Sequence, residues 1–206
     1  MPRSPNSLAT RLLKKFKSLE LTRNRVESLH ASNQIVLRDK KQFYEGLYLK
    51  THVLFETFLE DLFFGLLVEN SSIRTPSTVV PRVSVKSHTI AKDLVQSGKN
   101  YIDWIPYEKT INAAKLYFRN GLPFTGLTPS EKQDIYKSHL IRNVIAHESK
   151  HSLSKFEQHV IGSTVLPANE RKPAGYLMGI YAINPEQTRY QLYAAKLKNI
   201  ATRLTC

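Results

Sequence analysis

Arg142 and His147 sit five residues apart in the stretch Leu140-Ile141-Arg142-Asn143-Val144-Ile145-Ala146-His147-Glu148-Ser149. On a helix each residue advances by about 100°. That rotation gathers Leu140, Ile141, Val144 and Ile145 on one apolar face. Asn143, Ala146 and Lys150 fall on the opposite face, with Arg142 and His147 flanking it. The alanine keeps the middle of that polar face low, so a long guanidinium and a shorter imidazole can address one phosphate over the same patch. Such a pair suits a phosphodiester that carries its own nucleophile, as the 2′-hydroxyl of RNA does. An imidazole with an ordinary pKa near ~6.5 moves protons at neutral pH. A guanidinium stays charged and offers a planar fork to phosphate oxygens. On spacing alone, however, the pair reads as a surface cation and a helix-terminal histidine.

Around this pair, Asn143 lies one turn before His147 and is placed to orient its ring or cap a cleft; it reads almost as well as an ordinary polar helix residue. Lys150 adds attraction for phosphate. His151, one turn after His147, is a second acid–base candidate or a solvated histidine. His52 and Glu56 are one turn apart on another helical stretch. Two ligands make a poor metal site, so Glu56 reads as a polar support near the cleft, with His52 beside it. His139, His159 and His88 show no constellation. Trp104 and the tyrosines near it read as core rather than as stacking platforms. No metal site and no cofactor are expected.

These residues belong to a basic chain. Thirty Lys and Arg face seventeen Asp and Glu among 206 residues, a net charge of +13 with neutral histidines. That excess favours a polyanionic partner, nucleic acid before an anionic membrane surface, although a merely solvated basic surface has the same composition. Hydrophobic residues make up 41%, enough for a real core. The single cysteine, Cys206, allows no disulfide within these residues and fits a reducing, cytoplasmic setting. No apolar run reaches the length of a membrane span, since Val53 to Val68 is broken by Glu56, Glu60 and Asp61. Residues 1–19 are basic and acid-free, as transit peptides are, but their periodicity continues past Glu20 and reads as a first amphipathic helix.

The elements that must position the pair are helical. Leu8, Leu12, Phe16, Leu19, Val26 and Leu29 recur at three, four or seven residues. Phe43, Leu47, Leu54, Phe58 and Leu62 form a second face, widened by Tyr48, Phe55 and Phe63. Two long antiparallel helices follow, with a break within 31–41. Residues 70–100, rich in Ser, Thr, Pro and Lys, read as a partly irregular insertion with a short strand at Val83-Ser84-Val85. Pro106 fits the first turn of a helix running to about Asn120, and Gly121 to Gly126 a turn. Thr128, Pro129 and Glu131 form a helix start for the segment that carries Arg142 and His147. Residues 163–175 read as a loop and Gln187 to Leu204 as a closing helix, with Tyr190, Tyr193, Leu197, Ile200 and Leu204 on one side. The expected fold is all-α and single-domain, with a helical core over about 6–69 and 106–204.

Arg142-Asn143-Val144-Ile145-Ala146-His147 resembles the Arg-Asn-x-x-x-His form of the HEPN ribonuclease motif. Thr51-His52-Val53-Leu54-Phe55-Glu56-Thr57-Phe58-Leu59 resembles the second-helix pattern of that superfamily, which often has an acid near Glu56. Tyr101-Ile102-Asp103-Trp104, Gly121-Leu122-Pro123-Phe124, and the tail from Lys172-Pro173 through Tyr176-Leu177 to Thr188-Arg189-Tyr190 are similar to the RiboL-PSP type of HEPN domain. The resemblance spans most of residues 40–204. It implies a HEPN-like helical bundle whose copies pair as a homodimer, setting two motifs in one composite cleft that cuts RNA without metal. It also implies a toxin or phage-defence effector, with an antitoxin or defence-system partner. Where some HEPN toxins have a regulatory Tyr two residues after the His, this chain has Ser149. The competing expectation is a non-catalytic dimerising or RNA-binding module. Nucleotide binding has no phosphate loop to support it.

Overall fold

The computed structural model describes residues 5–68, 79–98 and 101–205. Among them the architecture is all-α: α1 (Pro5–Ala31), α2 (Leu37–Leu67), α3 (His88–Gln96), α4 (Tyr107–Tyr117), α5 (Pro129–His147), α6 (Lys150–Phe156), α7 (Pro173–Met178) and α8 (Arg189–Leu204). The strands β1 (Ile180–Ile183) and β2 (Glu186–Thr188) make one small antiparallel hairpin between α7 and α8. No described helix is long and apolar enough to cross a membrane.

The helical periodicities read from sequence produce the buried faces. Leu8, Leu12, Phe16 and Val26 of α1 are buried, as are Leu47, Leu54, Phe58 and Leu62 of α2. Two members of the expected faces turn outward: Leu29 and Phe43 are exposed. Phe43 instead lines an open groove of about 520 Å³ with Ile35, Gly46 and Leu47. The break between the two long helices is confined to residues 32–36.

The contacts divide the chain into two compact units, to both of which α1, α2, α5 and α8 contribute residues. One unit comprises 1–13, 55–135 and 198–206. Its centre is Phe63, with ring centroids of Trp104, Phe118 and Phe124 at 4.9, 5.0 and 5.3 Å. Buried aromatic rings in tilted and edge-on pairs contribute beyond the area they bury. Trp104 and Tyr107 are core, as expected, whereas Tyr101 is 70% exposed. The Tyr107 hydroxyl donates to the Phe124 carbonyl at 2.9 Å, fixing the short turn that precedes α5. At the start of α5, the Thr128 backbone N–H donates to the Glu131 carboxylate (2.7 Å) and the Glu131 N–H donates to the Thr128 hydroxyl (3.2 Å). This reciprocal capping box is the start expected from Thr128, Pro129 and Glu131. α4 stops at Tyr117, short of Asn120, because Phe118 is extended and bridges Pro81. The expected strand at 83–85 reduces to one isolated bridge between Val68 and Val85, and the unforeseen α3 follows it. The rest of the expected insertion, 70–78 and 99–100, lies outside the described residues.

The other unit comprises 14–54 and 136–197 and carries the motif. In it α1 and α2 run antiparallel, since Glu27 pairs with Lys40 and Arg23 with Tyr44. Its core joins Leu47 and Tyr48 of α2 to Leu140, Ile141 and Val144 of α5 and to Tyr190 and Tyr193 of α8. The Tyr48 hydroxyl donates to the Ser138 hydroxyl at 2.9 Å, a bond buried between α2 and α5. Thr51 and Tyr190 share a buried contact of 3.2 Å. α8 starts at Arg189 rather than Gln187, because Glu186 to Thr188 are taken into β2. The last stretch of the expected loop, from Pro173, opens α7, with proline at the first helical position.

Candidate active site

α5 is anchored through Leu140, Ile141 and Val144, which are buried. Its last turn therefore presents Arg142 and Asn143, half-buried, and Ala146 and His147, exposed. Nη1 of Arg142 lies 3.4 Å from Nε2 of His147 and donates to Oδ1 of Asn143 at 3.1 Å. The two groups leave an ideal helix about 140° apart, and their side chains bridge that separation over the low polar face. A guanidinium only donates, so the contact to His147 requires a lone pair on Nε2.

Asn143 does not act on His147 as expected. Its amide bridges Arg142 on one side and His139 on the other, with Nδ2 at 2.9 Å from Nε2 of His139. His139 in turn packs against His52, ring centroids 6.0 Å apart and tilted by 35°. The expectation that His139 stands outside any constellation is overturned: it is the inner end of the polar chain. The spacing of His139 and Asn143, one helical turn, was visible in the sequence; the approach of His52 across 87 positions was not. His52, 1% exposed, lies behind this chain as a wall. Glu56, one turn further along α2 and half-buried, belongs to the stretch of that helix assigned to the other unit.

Lys150 and His151 do not continue the α5 face. Glu148 adopts a left-handed conformation, φ 45°, and ends the helix, its N–H bonding the Val144 carbonyl at 3.2 Å. Ser149 then caps α6, its hydroxyl accepting from the Ser152 N–H at 3.1 Å. Lys150 and His151 are exposed in the first turn of that new helix, so the stack of Asn143, Ala146 and Lys150 is broken. The Ser149 cap was legible from residue type; a left-handed Glu has no sequence signal, since glycine or asparagine is usual there.

One acid was missed. Burial raises the pKa of Glu45 on α2, and the charge of Glu148 raises it further, against the opposing charge of Lys41. A half-buried carboxylate is therefore set against the residue that follows His147. His159 and His88 lie against the Tyr136 and Phe64 rings, respectively. Among the described residues no group of three or more His, Cys, Asp or Glu is placed to hold a metal ion.

The tail residues are structural. Arg189 donates to the Glu170 carboxylate, lies over the Tyr176 ring with its guanidinium carbon 4.9 Å from the centroid, and reaches the Tyr176 carbonyl at 3.3 Å. This knot holds α7, the hairpin and the start of α8 within the unit that carries α5. No protein-family model matches the chain, and no curated protein or solved structure matches it.

Proposed function

We propose that the chain is a HEPN-like endoribonuclease that cuts RNA without metal, through Arg142 and His147, in a cleft completed by a second copy. The observation that carries this reading is the 3.4 Å approach of Arg142 Nη1 to His147 Nε2 at the exposed end of α5, in a chain of net charge +13. The resemblance of Arg142-Asn143-x-x-x-His147 to the HEPN motif supports it.

In this reaction the 2′-hydroxyl attacks its neighbouring phosphorus. The P–O2′ bond forms and the P–O5′ bond breaks, leaving a 2′,3′-cyclic phosphate and a 5′-hydroxyl. His147 removes the 2′-hydroxyl proton, and an imidazolium returns a proton to the departing O5′. Arg142 takes up the charge that develops on the phosphate oxygens. The weak, long contact between the two side chains yields to the phosphate when RNA enters. Lys150 and His151, exposed on α6, and the rest of the basic surface attract the strand without reading it.

The test is cleavage of a mixed single-stranded RNA in EDTA, with analysis of the product ends. Cyclic phosphate or 3′-phosphate ends are expected. Ends bearing 3′-hydroxyls, or activity that returns only with magnesium, would overturn the mechanism. A protein that binds RNA but cuts none of a diverse set is instead the non-catalytic module.

A further inference from the structure

We propose that His139 is a positioning residue for the cleaving pair: it supplies the hydrogen-bond acceptor that fixes the Asn143 amide, which in turn fixes Arg142. This inference rests on the reading of Arg142 and His147 as the groups that cut RNA.

Arg142 has only N–H donors. The group of Asn143 that meets Nη1 at 3.1 Å is therefore its carbonyl oxygen, and the amide orientation follows from chemistry. The Nδ2 group then faces Nε2 of His139 at 2.9 Å. An amide nitrogen also only donates, so Nε2 of His139 must hold a lone pair and the ring must carry its proton on Nδ1. A ring with a proton on Nε2 would set donor against donor. The amide would have to turn over, and its nitrogen would then face the guanidinium. The acceptor on His139 thus selects which end of Asn143 meets Arg142, and Arg142 so placed stands 3.4 Å from His147.

The geometry also explains why the ring is steady. His139 and Asn143 are one turn apart on α5, where side chains share a face. His52, wholly buried, lies against the ring at 6.0 Å between centroids. A packing role alone would be served by any flat or flexible side chain of similar size; the acceptor role would not. Misplacing a catalytic group by about 1 Å costs on the order of 10²-fold in rate, so losing the selection should cost roughly 10–10²-fold in kcat.

The experiment uses the full chain and has two readouts. The first is the His139 tautomer, from long-range ¹H–¹⁵N correlations of the imidazole, which requires no activity. The proton is expected on Nδ1; a proton on Nε2 overturns the proposal. The second is cleavage of a short single-stranded RNA by H139Q, H139M and H139K, with folding checked by circular dichroism. Gln places an acceptor oxygen near the position of Nε2 and should stay within a few-fold of the unsubstituted protein. Met and Lys, which offer no comparable acceptor, should lose roughly 10–10²-fold in kcat with little change in KM. Full activity in folded H139M, or loss in H139Q equal to that in H139M, overturns the proposal. Should H139M fail to fold, the tautomer still decides. A protein that cuts no RNA at all refutes the ribonuclease reading, while the tautomer still tests the hydrogen-bond assignment, so the two failures are separable.

Discussion

Nη1 of Arg142 stands 3.4 Å from Nε2 of His147, at the point where α5 gives out and the left-handed Glu148 turns the chain away. One residue of the pair is half-buried and held by Asn143; the other is exposed. The difference gives each substitution its own signature. His147→Ala should abolish cleavage, a loss of roughly 10²–10⁴-fold, while RNA affinity, spread over many basic side chains, stays close to that of the parent. Arg142→Ala should impair cleavage as severely and also weaken binding, because a phosphate contact goes with it. Arg142→Lys should recover only part, since an ammonium does not reproduce the fork. Single-turnover kinetics beside filter binding check all three. Full activity in a rigorously purified His147→Ala protein refutes the site.

Oligomeric state is the second expectation. One Arg and one His on an exposed helix end make half of an acid–base pair, and Ala146 leaves the space between them low. A two-fold axis would set each motif against its copy. Light scattering at micromolar concentration should return about twice the chain mass. A monomer, with RNA present or absent, removes the shared cleft.

Glu45 yields a pH dependence. Its folded-state pKa lies above the ordinary carboxylate value, through burial first and the charge of Glu148 second. A raised carboxyl opposes folding only where it is ionised. The penalty is absent in acid, where both folded and unfolded chains hold the proton. It grows as pH rises through the ordinary carboxylate range and is complete above the raised value. Glu45→Gln should therefore raise the melting temperature at neutral pH, with the gain fading as the pH falls to about 4. A gain that persists unchanged into acid, or no gain at pH 7, contradicts the burial argument.

How much of this was legible in the sequence follows from the range of the interactions. The faces of α1, α2 and α8, the capping box at Thr128 and Glu131, and the apolar face of Leu140, Ile141 and Val144 are local patterns, and the structure repeats them. Phe43 and Leu29 fit the same periodicity yet are exposed, because periodicity says which residues share a face and not where the neighbouring helix ends. The hairpin at 180–188 escaped notice for want of alternation: Ile180, Tyr181 and Ile183 are all exposed. In the site, Arg142 and His147 flank one face as their spacing on α5 dictates, and their side chains close the gap. His52 against His139, and Glu45 against Glu148, are pairings between helices, which no spacing within the chain encodes. Lys150 was misplaced because the break at Glu148 depends on a backbone conformation rather than on a residue that prefers it.

Two glycines should respond in opposite directions to the same added methyl group. Gly175 lies in the first turn of α7, where a Cβ would stand 1.8 Å from the backbone carbonyl oxygen of Asn169 and 2.9 Å from its carbon. Backbone cannot swing aside as a side-chain tip can, so the turn at 168–170 must move. That turn includes Glu170, the partner of Arg189. Gly175→Ala should cost about 1–3 kcal/mol, the usual penalty of overpacking, and should loosen the knot at Tyr176. Gly46 is the counterpart. It lies in the middle of α2, exposed, with nothing within 4 Å of a Cβ placed there. Alanine would remove backbone freedom from the unfolded chain and meet no obstacle, so Gly46→Ala should stabilise by about 0.5–1 kcal/mol. Urea denaturation of the two variants beside the parent measures both effects. A neutral Gly175→Ala would mean that the Asn169 carbonyl does not approach as described. A destabilised Gly46→Ala would mean that the groove beside Phe43 is filled in solution, and unfolding repeated across a range of protein concentrations would then show whether a second copy fills it.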